Sequence, residues 1–259
     1  MKKILLLTLP LLFSHVYAAE SSHELSKQEE REAKSSEFRL RAIKEFAIQK
    51  GLIDGRRFRF NEIARDLNAQ KPALDVIYSV DKLYIRTEGG LFQVPVIITG
   101  NDLYQMDNNG KSYDWSKVRY ETIADGRFVT SQLDWFTYLV NADDLNQVGP
   151  ADDPILKPRN SLESTTFETY YKNAYAEGIN QANIEMDARV TSLTTIKKGM
   201  INYHDLVALK ILEPVQLSSS YIPVSGNNTT LTLSTISSTV SKEAKFNHNP
   251  DDYKLTLIK

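Results

Sequence analysis

The sequence predicts an α+β fold, and three observations predict it. Helical periodicity is confined to residues 37–68 and 164–209. Runs rich in β-branched and aromatic residues are confined to 73–130 and to the region after Pro214, so strands and helices segregate rather than alternate. The chain has 259 residues, 41% of them hydrophobic, and no cysteine, so one large domain or two small ones must hold together by burial without a disulfide. The expected architecture is a helical N-terminal segment, a small, mostly antiparallel sheet, a long central helix and C-terminal strands.

Met1, Lys2 and Lys3 precede an apolar run from Ile4 to Val16 and the small-residue pattern Val16-Tyr17-Ala18, which reads as a secretory signal peptide over residues 1–18, cut between Ala18 and Ala19. Pro10, Ser14 and His15 interrupt the run and argue against a membrane anchor. Cleavage removes Lys2 and Lys3, leaving 29 basic against 33 acidic residues and moving the formal charge from -2 to -4. Residues 19–36 are almost entirely polar and read as a mobile leader. Residues 37–259 then form a single domain, its one candidate sub-boundary at the 141–160 loop.

Phe38, Ile43, Phe46, Ala47 and Ile48 recur at helical spacing, and the helix is expected to stop at Gly51. A second helix is expected over about Arg57–Asn68, with Phe58, Ile63, Ala64 and Leu67 inward, before Pro72 breaks the chain. Three strands follow in "LDVIYSVDKLYI", "VPVIITG" and "VRYETIADGRFV", with turns at Glu88-Gly89-Gly90 and Asp107-Asn108-Asn109-Gly110. Val118, Tyr120, Thr122 and Ala124 alternate as for a strand with one buried face. Leu133, Trp135, Phe136, Tyr138 and Leu139 predict a short aromatic helix, and the loop at 141–160 carries three prolines and four aspartates. The long helix runs from about Ser164 to Lys197, with Phe167, Tyr170, Tyr171, Ala174, Gly178, Ala182, Met186, Arg189, Val190 and Leu193 in one stripe. A separate helix is expected at Met200–Leu209, then strands in "VQLSSSYIPV", "TTLTLSTI" and "DYKLTLIK", with a turn at Ser225-Gly226-Asn227-Asn228.

Chemistry is sparse along this chain. After cleavage three histidines remain, His23, His204 and His248, none at a ligand spacing, and Glu177, Glu185 and Asp187 read as a solvated helix face rather than a metal site. No nucleophile elbow or phosphate loop is present, and His204 and Asp205, being adjacent on a helix, point apart. Negative net charge and the short cluster Arg56-Arg57-Arg59 speak against direct nucleic-acid binding. No cofactor and no catalytic residue is expected. More telling are Ala174, Gly178 and Ala182, a line of small residues that permits another element to approach closely, with Gln181 beside it to satisfy buried backbone.

The segments "FRLRAIKEFAIQKGLIDGRRFRFNEIARDL", "LDVIYSVDKLYI", "VPVIITG", "YETIADGRFV", "LDWFTYL", "YAEGINQANIEMDARVTSL", "KKGMINYHDL" and "LEPVQLSSS" resemble, in this order, the DotC family of Dot/Icm (type IVB) secretion systems and related I-type conjugation systems. The sharpest elements are Gly178-Ile179-Asn180-Gln181-Ala182, similar to the family's Gly-Ile-x-Gln-Ala run, and Gly199-Met200-Ile201-Asn202-Tyr203, similar to its Gly-Met-x-x-Tyr run. The resemblance implies a non-enzymatic part of an outer-membrane core complex, working with DotD-like and DotH-like subunits and with other copies of itself in a ring. Gly178, Gln181, Ala182, Gly199, Met200 and Tyr203, from these two runs, are the candidates for organising the helical part of the fold or its interfaces. Family members carry an acylated cysteine that this sequence lacks, so attachment to the outer membrane is expected through partners, from the periplasm. The alternatives are a periplasmic hydrolase with dispersed catalytic residues and a secreted binding protein.

Overall fold

The computed structural model describes residues 13–106 and 113–254. Residues 1–12 of the expected signal peptide, the turn at 107–110 and most of the last expected strand (255–259) lie outside the described residues. The elements in order are α1 (Phe13–Ala69), α2 (Lys71–Ile77), β1 (Tyr84–Thr87), β2 (Gly90–Gln93), β3 (Val96–Met106), β4 (Tyr113–Ala124), β5 (Arg127–Val129), α3 (Trp135–Leu139), α4 (Ala142–Leu145), α5 (Ser161–Ala208), β6 (Leu212–Glu213), β7 (Gln216–Gly226), β8 (Leu231–Lys242) and β9 (Lys245–Phe246). The fold is α+β, and its pairings are antiparallel: β1-β2-β5, β3-β4, β6-β9 and β7-β8. By internal contacts the chain divides into two units, residues 1–59 with 146–182 and residues 60–145 with 183–259.

In the first unit two helical segments run side by side in the same direction. Arg39 meets Glu163, Phe46 meets Phe167, Gly51 meets Tyr171 and Gly55 meets Tyr175. Helix α1 does not end at Gly51 as expected. A Cβ at Gly51 would lie 2.5 Å from the Tyr171 carbonyl oxygen, and one at Gly55 closer still to that of Tyr175. Both glycines stay in the helix because the neighbouring backbone occupies the space a side chain would need. Residues 19–36, expected as a mobile leader, lie within α1; residues 27, 28 and 30–36 are exposed, and an i,i+4 pair joins Lys34 to Glu30. The expected cleavage point between Ala18 and Ala19 falls inside this helix. Phe38, assigned to the inward stripe, is 68% exposed, and Phe58 also faces outward.

The second unit centres on Val80, Tyr84, Phe92, Val94, Val96, Ile97, Met200, Tyr203, Leu206, Leu212 and Val215. The sequence reading is corrected at three places here. Residues 74–77, expected as strand, are helical, because Pro72 stands at the first turn of α2, where its missing N–H costs nothing. The stripe Val118, Tyr120, Thr122, Ala124 does not bury a face: Tyr120 is half-buried and the other three are exposed. The two helices expected at 164–197 and 200–209 are one helix, unbroken at Gly199. The predicted turns at Glu88-Gly89-Gly90 and Ser225–Asn228 do join β1 to β2 and β7 to β8. At the second, Asn227 Oδ1 accepts from the backbone N–H groups of Thr229 and Thr230.

Candidate assembly surfaces

The six residues singled out in the sequence fall into the two units, and five of them are buried. In the first unit Gly178 sits against the backbone of Leu52 and Arg56, where a Cβ would overlap the Leu52 carbonyl, while Ala174 and Ala182 are buried on the same face of α5. An aromatic ladder, Phe167, Tyr171 and Tyr175 at centroid spacings of 5.8 and 6.0 Å, flanks this line and meets Phe46 and Phe58 of α1. Gln181 does not satisfy buried backbone as expected. It is exposed, and its side-chain amide donates to Glu177 Oε1 on its own helix.

The run from Gly199 to Tyr203 locks α5 onto the β3 strand within the second unit. Gly199 lets the helix approach Val96 and Ile97, Asn202 Nδ2 donates to the Ile97 carbonyl at 2.8 Å, Met200 is fully buried, and the Tyr203 hydroxyl accepts from the Val215 N–H at 3.0 Å. Burial pushes the Tyr203 phenol above its ordinary value. Residues 199, 202 and 203 share one helical face, so the bare backbone at Gly199 and the side chains of Asn202 and Tyr203 engage β3 and its neighbours together.

Polar anchors that the sequence reading left aside complete each unit. Arg39 donates to both carboxylate oxygens of Glu163 and to the carbonyls of Ile155 and Lys157, which holds the Glu163 carboxyl below its usual range. Arg189 grips buried Asp144 with two bonds, donates to the Leu139 carbonyl and to Glu185, and stacks over Phe60. An arginine inside an otherwise apolar stripe is the signal that could have revealed it, since a buried guanidinium requires a carboxylate partner. His204 lies half-buried, with Nε2 at 3.1 Å from the Leu83 carbonyl, so this nitrogen carries the proton and donates.

A groove of about 350 Å³ between β3 and α5 is lined by Ile97, Thr99, Thr195, Lys198, Gly199 and Asn202 among others. The carboxyls of Asp75, Asp134, Asp152, Glu163 and Glu213 are lowered, each first by a side-chain hydrogen bond, from Trp135, Thr137, Lys50, Arg39 and Lys242 respectively. Among the described residues no group of three histidine, cysteine, aspartate or glutamate side chains could hold a metal ion. No helix of the described residues is long and apolar enough to cross a membrane.

What the surface does carry is apolar area. The β3–β4 ribbon exposes Leu103, Trp115, Val118 and Ile123, and the β7–β8 ribbon exposes Tyr221, Ile222, Val224, Leu231, Leu233 and Ile236. Two-stranded ribbons of 11 or 12 residues per strand are marginal on their own. Apolar side chains gathered on these ribbons make them candidate contact surfaces.

Comparison with curated proteins finds no match. A family model, described as type IV secretory system, conjugal DNA-protein transfer, matches residues 37–254, most of the chain and both units. The chain belongs to this type IV secretory family.

Proposed function

We propose that this chain is a non-enzymatic structural component of the outer-membrane core complex of a type IVB secretion or conjugation system, supporting assembly of the secretin-like subunit. It is exported by its cleaved signal peptide. In the periplasm it joins DotD-like and DotH-like subunits and further copies of itself, and through them the outer membrane. The observation that carries this reading is the exposed apolar area of the two long ribbons in a member of a secretion family. Support also comes from the polar groups: His204, Glu185 and Arg189 are engaged in bonds that hold the fold. Association through such surfaces draws on roughly 25 cal/mol per Å² of apolar area before the costs of binding. Affinity recovery of the tagged protein from detergent-extracted envelopes tests the proposal. The expected result is co-recovery with other envelope subunits of the secretion system; recovery as a solitary monomer contradicts it.

A further inference from the structure

We infer that the polar groove between the β1-β2-β5 sheet and the segment Ser131–Tyr138 is a binding site for a carboxylate, anchored by Arg127. Its volume is about 470 Å³, and every residue that lines it belongs to the second unit. Strand register builds one wall. Tyr84 stands opposite Gln93 and Gln93 opposite Arg127, so the three side chains form one row on one face of the sheet, about 5 Å from strand to strand. The other wall is the chain that leads into α3, where Leu133 donates its backbone N–H to the Tyr84 hydroxyl at 3.0 Å.

The donors of this row are uncommitted. Among the described residues neither the Arg127 guanidinium nor the Gln93 side chain has an ion-pair or hydrogen-bond partner. Tyr84 is only 7% exposed, and its hydroxyl, which accepts from Leu133, keeps its own proton to give. Gln132 also lines the groove, and its Nε2 is buried without a partner. A buried donor left unpaired is unfavourable, so an oxygen brought in beside it gains what the fold alone does not supply.

Charge selects the ligand. Asp134 is the one acid among the described residues that line the groove, and the Thr137 N–H and hydroxyl both donate to its Oδ2. Before a ligand enters, the groove thus holds one cation without a partner and one anion held by its own helix. A monoanion balances Arg127, whereas a dianion such as phosphate leaves negative charge in excess beside Asp134. The planar guanidinium presents paired N–H groups that match the two oxygens of a carboxylate. Half-buried Val129 and Leu133 offer apolar surface to the carbon chain that follows it. A free organic acid and the carboxyl end of a peptide present this same group, and the test separates them.

The purified full chain is immobilised and offered pentapeptides randomised at the last three positions, once as free acids and once as C-terminal amides. N-acetyl-leucine and inorganic phosphate are titrated directly by calorimetry and as competitors. The expected result is retention of the free acids, with a loss of at least about tenfold for the amides and for Arg127→Gln. Arg127→Lys, which keeps the charge without the fork, is expected to fall between. Arg86→Gln, on the same sheet face but outside the groove, is expected to bind as the natural chain does. Arg127 is exposed and bonds to nothing in the fold, so an unchanged urea midpoint is expected for its variants. Displacement by N-acetyl-leucine at the peptides' own concentration identifies a free acid as the ligand; retention against it identifies a peptide end. Equal retention of the amides, tighter binding of phosphate than of N-acetyl-leucine, retention unmoved by Arg127→Gln, or no binding of either acid overturns the inference. Failure of this site leaves the assembly proposal standing, since co-recovery from envelopes judges that separately.

Discussion

At the scale of single residues, the fold depends on places where a side chain is missing. Gly55 and Gly178 each face backbone of the neighbouring helix at a separation that leaves no room for a methyl group. Gly55→Ala and Gly178→Ala are each expected to cost about 1–3 kcal/mol, overriding the helix propensity that alanine normally adds. Urea denaturation checks this, with Gly149→Ala as control, since a Cβ there would meet nothing closer than Ile53 at 3.8 Å. Tyr203 is the converse case, a polar atom placed inside the core for one N–H. Tyr203→Phe keeps the ring and strands the Val215 donor, an expected loss of about 1–3 kcal/mol by the same measurement.

At the scale of elements, the polar anchors tie each long helix to its surroundings, and one of them responds to pH. Glu163, in the first turn of α5, has a carboxyl lowered from its ordinary 4.5, first by the Arg39 hydrogen bond and then by the Arg159 N–H. A carboxyl depressed in the folded state binds its proton more readily when unfolded, so its contribution to stability is complete above 4.5 and is lost as pH falls through the lower folded value. Denaturation midpoints followed from about pH 7 to about pH 3 should therefore fall more steeply for the natural protein than for Glu163→Gln. The elements also show which signals were readable. The stripe from Phe167 to Leu193 was legible, and its members are buried or half-buried, because core burial imposes the helical period directly. The helix ends near Asn68 and Leu209 were legible, but the breaks expected at Gly51 and between Lys197 and Met200 do not occur, since Gly51 and Gly199 serve close contacts with segments far away in sequence. Pro72 likewise opens a helix where it was taken to break the chain. The strands of both ribbons were visible from their composition, yet the exposure of both faces of β4 was not, since alternation gives orientation and says nothing of what covers a face. For the candidate surface on β7–β8, the charge-free stretch from Gln216 to Ser241 was readable, though composition of the whole chain averages it away.

For the whole molecule, the motif runs serve to build the units, and the described surface carries two apolar ribbons. The central claim is that the chain acts through surfaces that it joins. Its most direct test is transfer of secretion substrate by cells whose native copy is replaced by two sets of variants. One set makes the β7–β8 face polar through Ile222→Ser, Val224→Ser, Leu231→Ser and Leu233→Ser; the other neutralises exposed groups available for chemistry through Glu177→Gln and Asp187→Asn. With all variants folded and present at natural levels, transfer should fall sharply in the first set and stay unchanged in the second. Full transfer with the polar ribbon, together with loss of transfer in the neutralised set, would contradict the account.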